Sequence, residues 1–226
     1  MDHRIHTEAD LDAALALLVA AEPRFAELVK VGGRPPLRRR PAGYAGLAAI
    51  ICAQQLSTAS AGAIWGRLTA AFDPFEPAAI ARARTARLAR LGLSAAKIRS
   101  LKEIARAVVR GKLVFASLGE LAAEDAHAAL TALHGIGPWT ADIYLLTCLG
   151  HADAWPAGDL ALQEAARPAF GLRARPNAKE MVALAEPWRP WRGVAARVLW
   201  TYYRALKGRE GAPIQPTKPK RGANGR

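Results

Sequence analysis

Three observations predict an all-α fold. Alanine, leucine and arginine, all strong helix formers, dominate the chain, and β-branched runs are nearly absent. Apolar residues recur at helical spacing in one segment after another. Glycine, proline and capping residues punctuate those segments where helices should start and stop. Asp10 to Leu18 and Arg24 to Lys30 show the spacing first, and Arg34 to Pro41 (RPPLRRRP) reads as a basic, proline-broken linker. GYAGLAAIICAQQL is apolar on nearly every side, which predicts a helix buried on several faces. Ser57 caps the next helix, which runs to Ala71 and ends at Asp73-Pro74. Ser94 opens SAAKIRSLKEIARAVVR, which stops at Gly111. Glu120 to Leu133 and Pro138 to Leu149 form a pair separated by HGIG. Asp159 to Phe170, Ala178 to Ala185 and Trp191 to Leu206 complete the series.

A chain of 226 residues can bury a core without disulfides or metals, and it fits one large domain or two small lobes. Lys+Arg 32 against Asp+Glu 19 leaves a formal charge of +13, which attracts polyanions, nucleic acid first and anionic membrane surface second. The start, MDHRIHTEADLDAAL, lacks the basic-then-apolar build of a signal peptide. No apolar run approaches the roughly 18 residues of a membrane span. Cys52 and Cys148 sit inside apolar helical patterns, which excludes a disulfide framework, a four-thiolate zinc site and an iron–sulfur cluster. The histidines are scattered, so no transition-metal site is expected, and His3 and His6 read as solvated. The expectation is a soluble, cytoplasmic, basic protein. Residues 207–226 hold six basic residues and one acid among Pro and Gly, and read as a disordered tail.

LHGIGPWTA (133–141) is the most informative stretch. Gly135 and Gly137 can take positive φ and let the backbone approach another surface closely. Pro138 suits the first turn of the helix that follows. The free N–H groups around Gly135, Ile136 and Gly137, with the Thr140 hydroxyl added, would make a phosphate site. The alternative is an ordinary glycine-containing turn between helices, and the net charge favours the first reading. A hairpin of this kind grips backbone and reads no sequence. Asp159 follows a loop holding Trp155, Pro156 and Gly158, and by itself reads as the N-cap of LALQEAARPAF. Asp153 is a second acid nearer the loop entrance. Trp65 and Trp200 sit at helical spacing and read as core.

GIGPWTADIYLL followed by DAWPAGDLALQEA resembles the helix-hairpin-helix, Gly/Pro-rich loop and aspartate of the base-excision DNA glycosylases. AIICAQQLS (49–57), LGLSAAKIRSL (91–101) and PWRPWRGVAARVLWTYY (187–203) are similar to the alkylation-repair branch, 3-methyladenine DNA glycosylase II, in a short form without its N-terminal β-rich domain. The matching stretches spread over most of residues 44–206. The resemblance implies two helical lobes with the active site between them. One lobe takes 1–43 plus 160–206, the hairpin lobe takes 44–159, and the basic tail follows.

The resemblance also implies roles. Asp159 falls on the position of the catalytic carboxylate, where a helix N-terminus favours the ionised form and a fixed anion stabilises an oxocarbenium-like sugar. Trp139 stands where bifunctional relatives carry a lysine, which implies no Schiff base, no strand cleavage and water as nucleophile. Trp139 and Trp191 match positions that line the pocket for a flipped base, where indoles would stack on a cationic alkylated purine. Tyr144 and Tyr202 read as core. Gln55 matches the wedge that fills the gap in the duplex, against the plain reading of Gln54 and Gln55 as helix-end residues. No cofactor is implied beyond a monovalent cation, Na+ or K+, on the carbonyls of Thr131, Leu133 and Ile136. His134 stands where relatives often place proline. Arg34, Arg38, Arg39 and Arg40 are either a solvated linker or phosphate contacts. The implied partner is double-stranded DNA containing alkylated bases, acted on by a nucleoid-associated monomer. The implied reaction is excision of N3- or N7-alkylated purines, leaving an abasic site. A non-catalytic hairpin protein that only binds DNA is the rival. A glycosylase for oxidised or mismatched bases is disfavoured by Trp139 and by the missing cluster cysteines.

Overall fold

A computed structural model describes residues 3–208 of the chain, so the expected tail lies, from residue 209 on, outside the described residues. Thirteen α-helices are found among the described residues, with no strand beyond an isolated bridge between Arg4 and His151. They are α1 (Glu8–Ala21), α2 (Arg24–Gly32), α3 (Tyr44–Ala53), α4 (Thr58–Ala71), α5 (Pro77–Arg82), α6 (Thr85–Arg90), α7 (Ala95–Val109), α8 (Phe115–Glu120), α9 (Ala123–Thr131), α10 (Pro138–Tyr144), α11 (Leu160–Ala169), α12 (Ala178–Ala185) and α13 (Arg192–Lys207). Ser57 and Ser94 cap as their types predict, each accepting from the backbone three residues on. The helix expected from Glu120 begins only at Ala123, because Leu121 and Ala122 are extended. The helix expected through Pro138 to Leu149 widens into a π-helical segment over Leu145–Leu149, closed by Gly150 in the left-handed region.

Two hydrophobic cores organise these helices. The first is drawn from Tyr44 to Leu149 with Ala154, and buries Leu47, Ile51, Leu68, Leu101, Leu130 and Leu145. α3 has eight of its ten residues buried, as its unbroken apolar sequence requires. Cys52 and Cys148 lie in this core as free thiols, and burial pushes both up to about 11. The second core combines Leu11, Leu18 and Phe25 with Leu162, Met181, Trp188 and Val198. Trp200 packs against both.

Residues 34–41 join the two cores through arginine. Arg34 pairs with Glu8 and Asp12 on α1. Arg39 donates to the carbonyls of Ile5 (3.1 Å) and Cys148 (3.0 Å). The buried Arg197 donates to the carbonyls of Leu37 and Leu146. Helix ends leave carbonyls unpaired, and cations there also meet the negative end of the helix dipole. Two of the linker arginines are therefore committed to partners within the protein, Arg39 part-buried and Arg34 still exposed. Burial holds the Arg197 guanidinium down at about 10, still charged at neutral pH. Replacing Arg197 with Met should strand both carbonyls and cost about 2–3 kcal/mol. A urea melt checks this as a lowered midpoint at unchanged slope.

Candidate active site

The site begins at the turn between α9 and α10. Gly135 has φ +79°, and a Cβ there would overlap the Ser100 hydroxyl and come within 2.8 Å of Ser100 Cβ on α7. Glycine is needed for the conformation and for the contact. Gly137 differs from expectation: its φ is −89°, and a Cβ there meets nothing within 4 Å. It is the N-cap of α10, Pro138 holds the first helical position, and no side chain caps this end. Ile136 is buried in the first core and its N–H donates to the Leu133 carbonyl (3.1 Å). Thr140 is buried as well, and its hydroxyl accepts from Gln54 Nε2 (2.8 Å) rather than facing outward. Gln54 Nε2 also reaches the Gly135 carbonyl (3.4 Å), so the α3–α4 turn is tied to the hairpin. Lys97 Nζ fastens the same turn by donating to the carbonyls of Cys52 (2.9 Å) and Gln54 (2.8 Å). Gln55 sits exposed at its tip with φ +55°. Thr131 donates its hydroxyl to the His127 carbonyl (2.9 Å).

Asp159 is the N-cap of α11 and is buried, 4% exposed. Its Oδ1 accepts from the Leu162 N–H (3.1 Å) and from Trp200 Nε1 (3.2 Å), and its Oδ2 accepts from Trp139 Nε1 (2.8 Å). The carboxylate faces a cavity of about 520 Å³, whose lining includes Trp139, Trp200, Trp65, Leu56 and Ile143. Trp139 reaches it from the first turn of α10, so the hairpin and the carboxylate are one hydrogen bond apart.

Trp191 is not part of this cavity lining. It is the N-cap of α13, and its ring packs at 4.7 Å from that of His3, which is therefore not simply solvated. Trp200 and Trp65 line the cavity, although both read as core. Arg197, Trp200, Thr201 and Arg204 all line the cavity at i, i+3, i+4 and i+7 of α13, and that spacing is the signal a sequence reading could have used. Arg38, Arg39 and Arg40 line the cavity as well. Asp153 is taken by Arg189 Nη1 (2.6 Å) and Arg192 Nη2 (2.7 Å). Tyr144 is core, accepting from the Gly43 N–H (2.8 Å), and Tyr202 packs on the second core. Among the described residues no group of His, Cys, Asp and Glu could hold a metal ion, and no helix is long and apolar enough to cross a membrane.

Two helices joined by a glycine hairpin, with an indole of the second helix bonded to a buried carboxylate, define a helix-hairpin-helix protein with a single acid in its cavity. The chain belongs to the HhH-GPD superfamily of base excision DNA repair proteins, whose family model matches residues 48–190. It is 28% identical over 200 residues to the alkylbase DNA glycosidase-like protein mag2 of Schizosaccharomyces pombe, covering 85% of this chain and 94% of that one. It is 34% identical over 207 residues to a probable bifunctional transcriptional activator/DNA repair enzyme AlkA of Mycobacterium tuberculosis, with 85% of this chain but only 40% of the longer protein covered. Among solved structures it resembles the 3-methyladenine DNA glycosylase Mag1 of Schizosaccharomyces pombe in complex with abasic DNA. That match has 28% identity and a TM-score of 0.77 over 86% of this chain and 97% of the other.

Two outcomes follow from the hairpin itself. Gly135→Ala should destabilise the protein by about 1–3 kcal/mol through overlap and backbone strain. Adding Ser100→Gly should recover part of that loss in a denaturant melt, since it removes the overlap and leaves the strain. On α10, burial pushes the Asp142 carboxyl up to about 7 against the opposing pull of Arg192, with His127 Nε2 3.5 Å away. The unfolded carboxyl ionises near 4, so between pH 4 and 7 the unfolded chain holds fewer protons and stability falls as pH rises. Asp142→Asn should lose that fall, and the two proteins' melting curves at pH 4.5 and 7.5 check it.

Proposed function

We propose that this chain is a monofunctional DNA glycosylase. It extrudes alkylated purines, chiefly the N3- and N7-alkylated cations, from double-stranded DNA into the cavity and hydrolyses the N-glycosidic bond, leaving an abasic site. The observation that carries this is the buried Asp159 carboxylate, held in the cavity by two indole N–H groups. Neutral donors fix its position without cancelling its charge. The base lies against the faces of Trp139 and Trp200, where a cation gains stacking and cation–π attraction. As the C1′–N bond breaks, its electron pair passes to the base and neutralises it, so no general acid is needed. The sugar's developing positive charge is met by Asp159, which also orients the attacking water. Among the described residues no lysine lines the cavity, which supports a reaction without a Schiff base and with the strand left intact.

Supporting parts follow the same reading. The open N-terminus of α10 grips a phosphate through backbone N–H groups around Gly137, and Gln55 enters the duplex from a turn that Lys97 and Gln54 hold rigid. The enzyme works as a monomer and needs no cofactor. A sodium or potassium ion on the carbonyls of Thr131, Leu133 and Ile136 would strengthen the phosphate grip, with Leu133 already accepting one internal hydrogen bond.

Asp159→Asn keeps the shape and removes the charge. It should reduce release of methylated purines from methylated DNA by about 100-fold or more, with lesion-DNA affinity nearly unchanged. In the wild type, borohydride should trap no protein–DNA adduct, and the strand should break only after alkali. Full activity in the variant, or a trapped adduct, overturns the assignment. A wild type that binds methylated DNA and releases no base is the non-catalytic binder instead.

A further inference from the structure

The cavity has a second wall, made of guanidinium groups. Arg38, Arg39, Arg40, Arg197 and Arg204 all line it, and Asp159 is the one acid of its lining among the described residues. Arg39 and Arg197 are committed to backbone carbonyls. Arg204 is not. Its Nε is closed off from solvent and has no hydrogen-bond partner. Among the described residues no carboxylate pairs with Arg204 or Arg40. A buried donor on a charged group is costly to leave unmet, and the lining carries more guanidinium than carboxylate charge, which favours entry of an anion. Arg204 lies one helical turn beyond Trp200 on α13, and Trp200 is the indole that touches Asp159.

We infer that Arg204, with Arg40, forms an anion subsite for a phosphodiester of the extruded nucleotide. The inference rests on the glycosylase reading and gives it an orientation. The phosphates of a nucleotide are only a few covalent bonds from its C1′, the atom Asp159 must face. A guanidinium fork matches phosphate oxygens, and repulsion keeps a cationic base off this wall and on the indoles. The subsite is distinct from the hairpin grip, because the hairpin meets the backbone of any duplex, whereas this phosphate enters the cavity only once the nucleotide has left the stack. With the phosphate in place part of the guanidinium charge is offset, which leaves more of the Asp159 charge for the sugar.

The test compares wild type, Arg204→Met and Arg204→Lys on undamaged duplex and on a duplex carrying a tetrahydrofuran abasic analogue. Each duplex is also made with a single methylphosphonate at one of the phosphates flanking the analogue or, in the undamaged duplex, at the matching position. Arg204→Met should bind the abasic analogue about tenfold more weakly, with undamaged binding unchanged and the salt slope on the analogue reduced by about one. Arg204→Lys should keep that slope. One methylphosphonate should weaken the wild type and leave Arg204→Met indifferent. Equal losses on both duplexes, or methylphosphonates that affect both proteins alike or neither, overturn the subsite. The wild-type methylphosphonate effect is read without any variant, so a misfolded variant does not decide the matter. Base release is scored separately: a wild type that shows the methylphosphonate effect but frees no base keeps the subsite and loses the glycosylase reading.

Discussion

A carboxylate buried in a protein interior needs its oxygens met, and in this fold three N–H groups from three helices meet those of Asp159. The Leu162 amide belongs to α11, which Asp159 itself caps. The Trp139 indole belongs to the first turn of α10, and the Trp200 indole to the middle of α13. α10 packs in the first core, α11 and α13 in the second. The carboxylate is thus a point where both cores are referenced to each other. Because Trp139 follows Pro138 directly, its reach to Asp159 is set by the same turn that opens the hairpin's N-terminus. Moving the hairpin moves the donor.

The arginines solve a complementary problem. A π segment and the end of a helix expose carbonyls, and here those of Leu146, Cys148 and Leu149 are met by Arg197, Arg39 and Arg4. These side chains arrive from the start of the chain, the linker and the last helix. Their heads are spent on backbone, so Arg39 and Arg197 act as struts of the fold although they also line the cavity.

What was legible in the sequence was local. Capping by Ser57, Ser94 and Asp159, the apolar α3 and the hairpin glycine at 135 all follow from neighbours within a few residues. The misreadings are long-range. Arg39 meets Cys148 across 109 residues, so nothing near the linker reveals it. Whether Trp191 or Trp200 faces the cavity depends on the rotation of α13 against α11, and Trp191, at the helix start, turns instead to His3. Thr140 reads as an outward hydroxyl until Gln54, from another helix, claims it. The helices α5, α6 and α8 are six residues each, too short to carry a periodicity. Gly137 was expected to need its freedom for φ, and its use is the open space in front of it.

The two thiols have a consequence for chemical durability. Electrophiles such as methylating agents attack thiolate far faster than thiol. With Cys52 and Cys148 both pushed up to about 11, only about one thiol in ten thousand is ionised at neutral pH, and both sulfurs are walled in by the first core. A DNA repair protein meets the same reagents that damage the DNA. Both thiols here are held protonated inside a core, so they react slowly with such reagents.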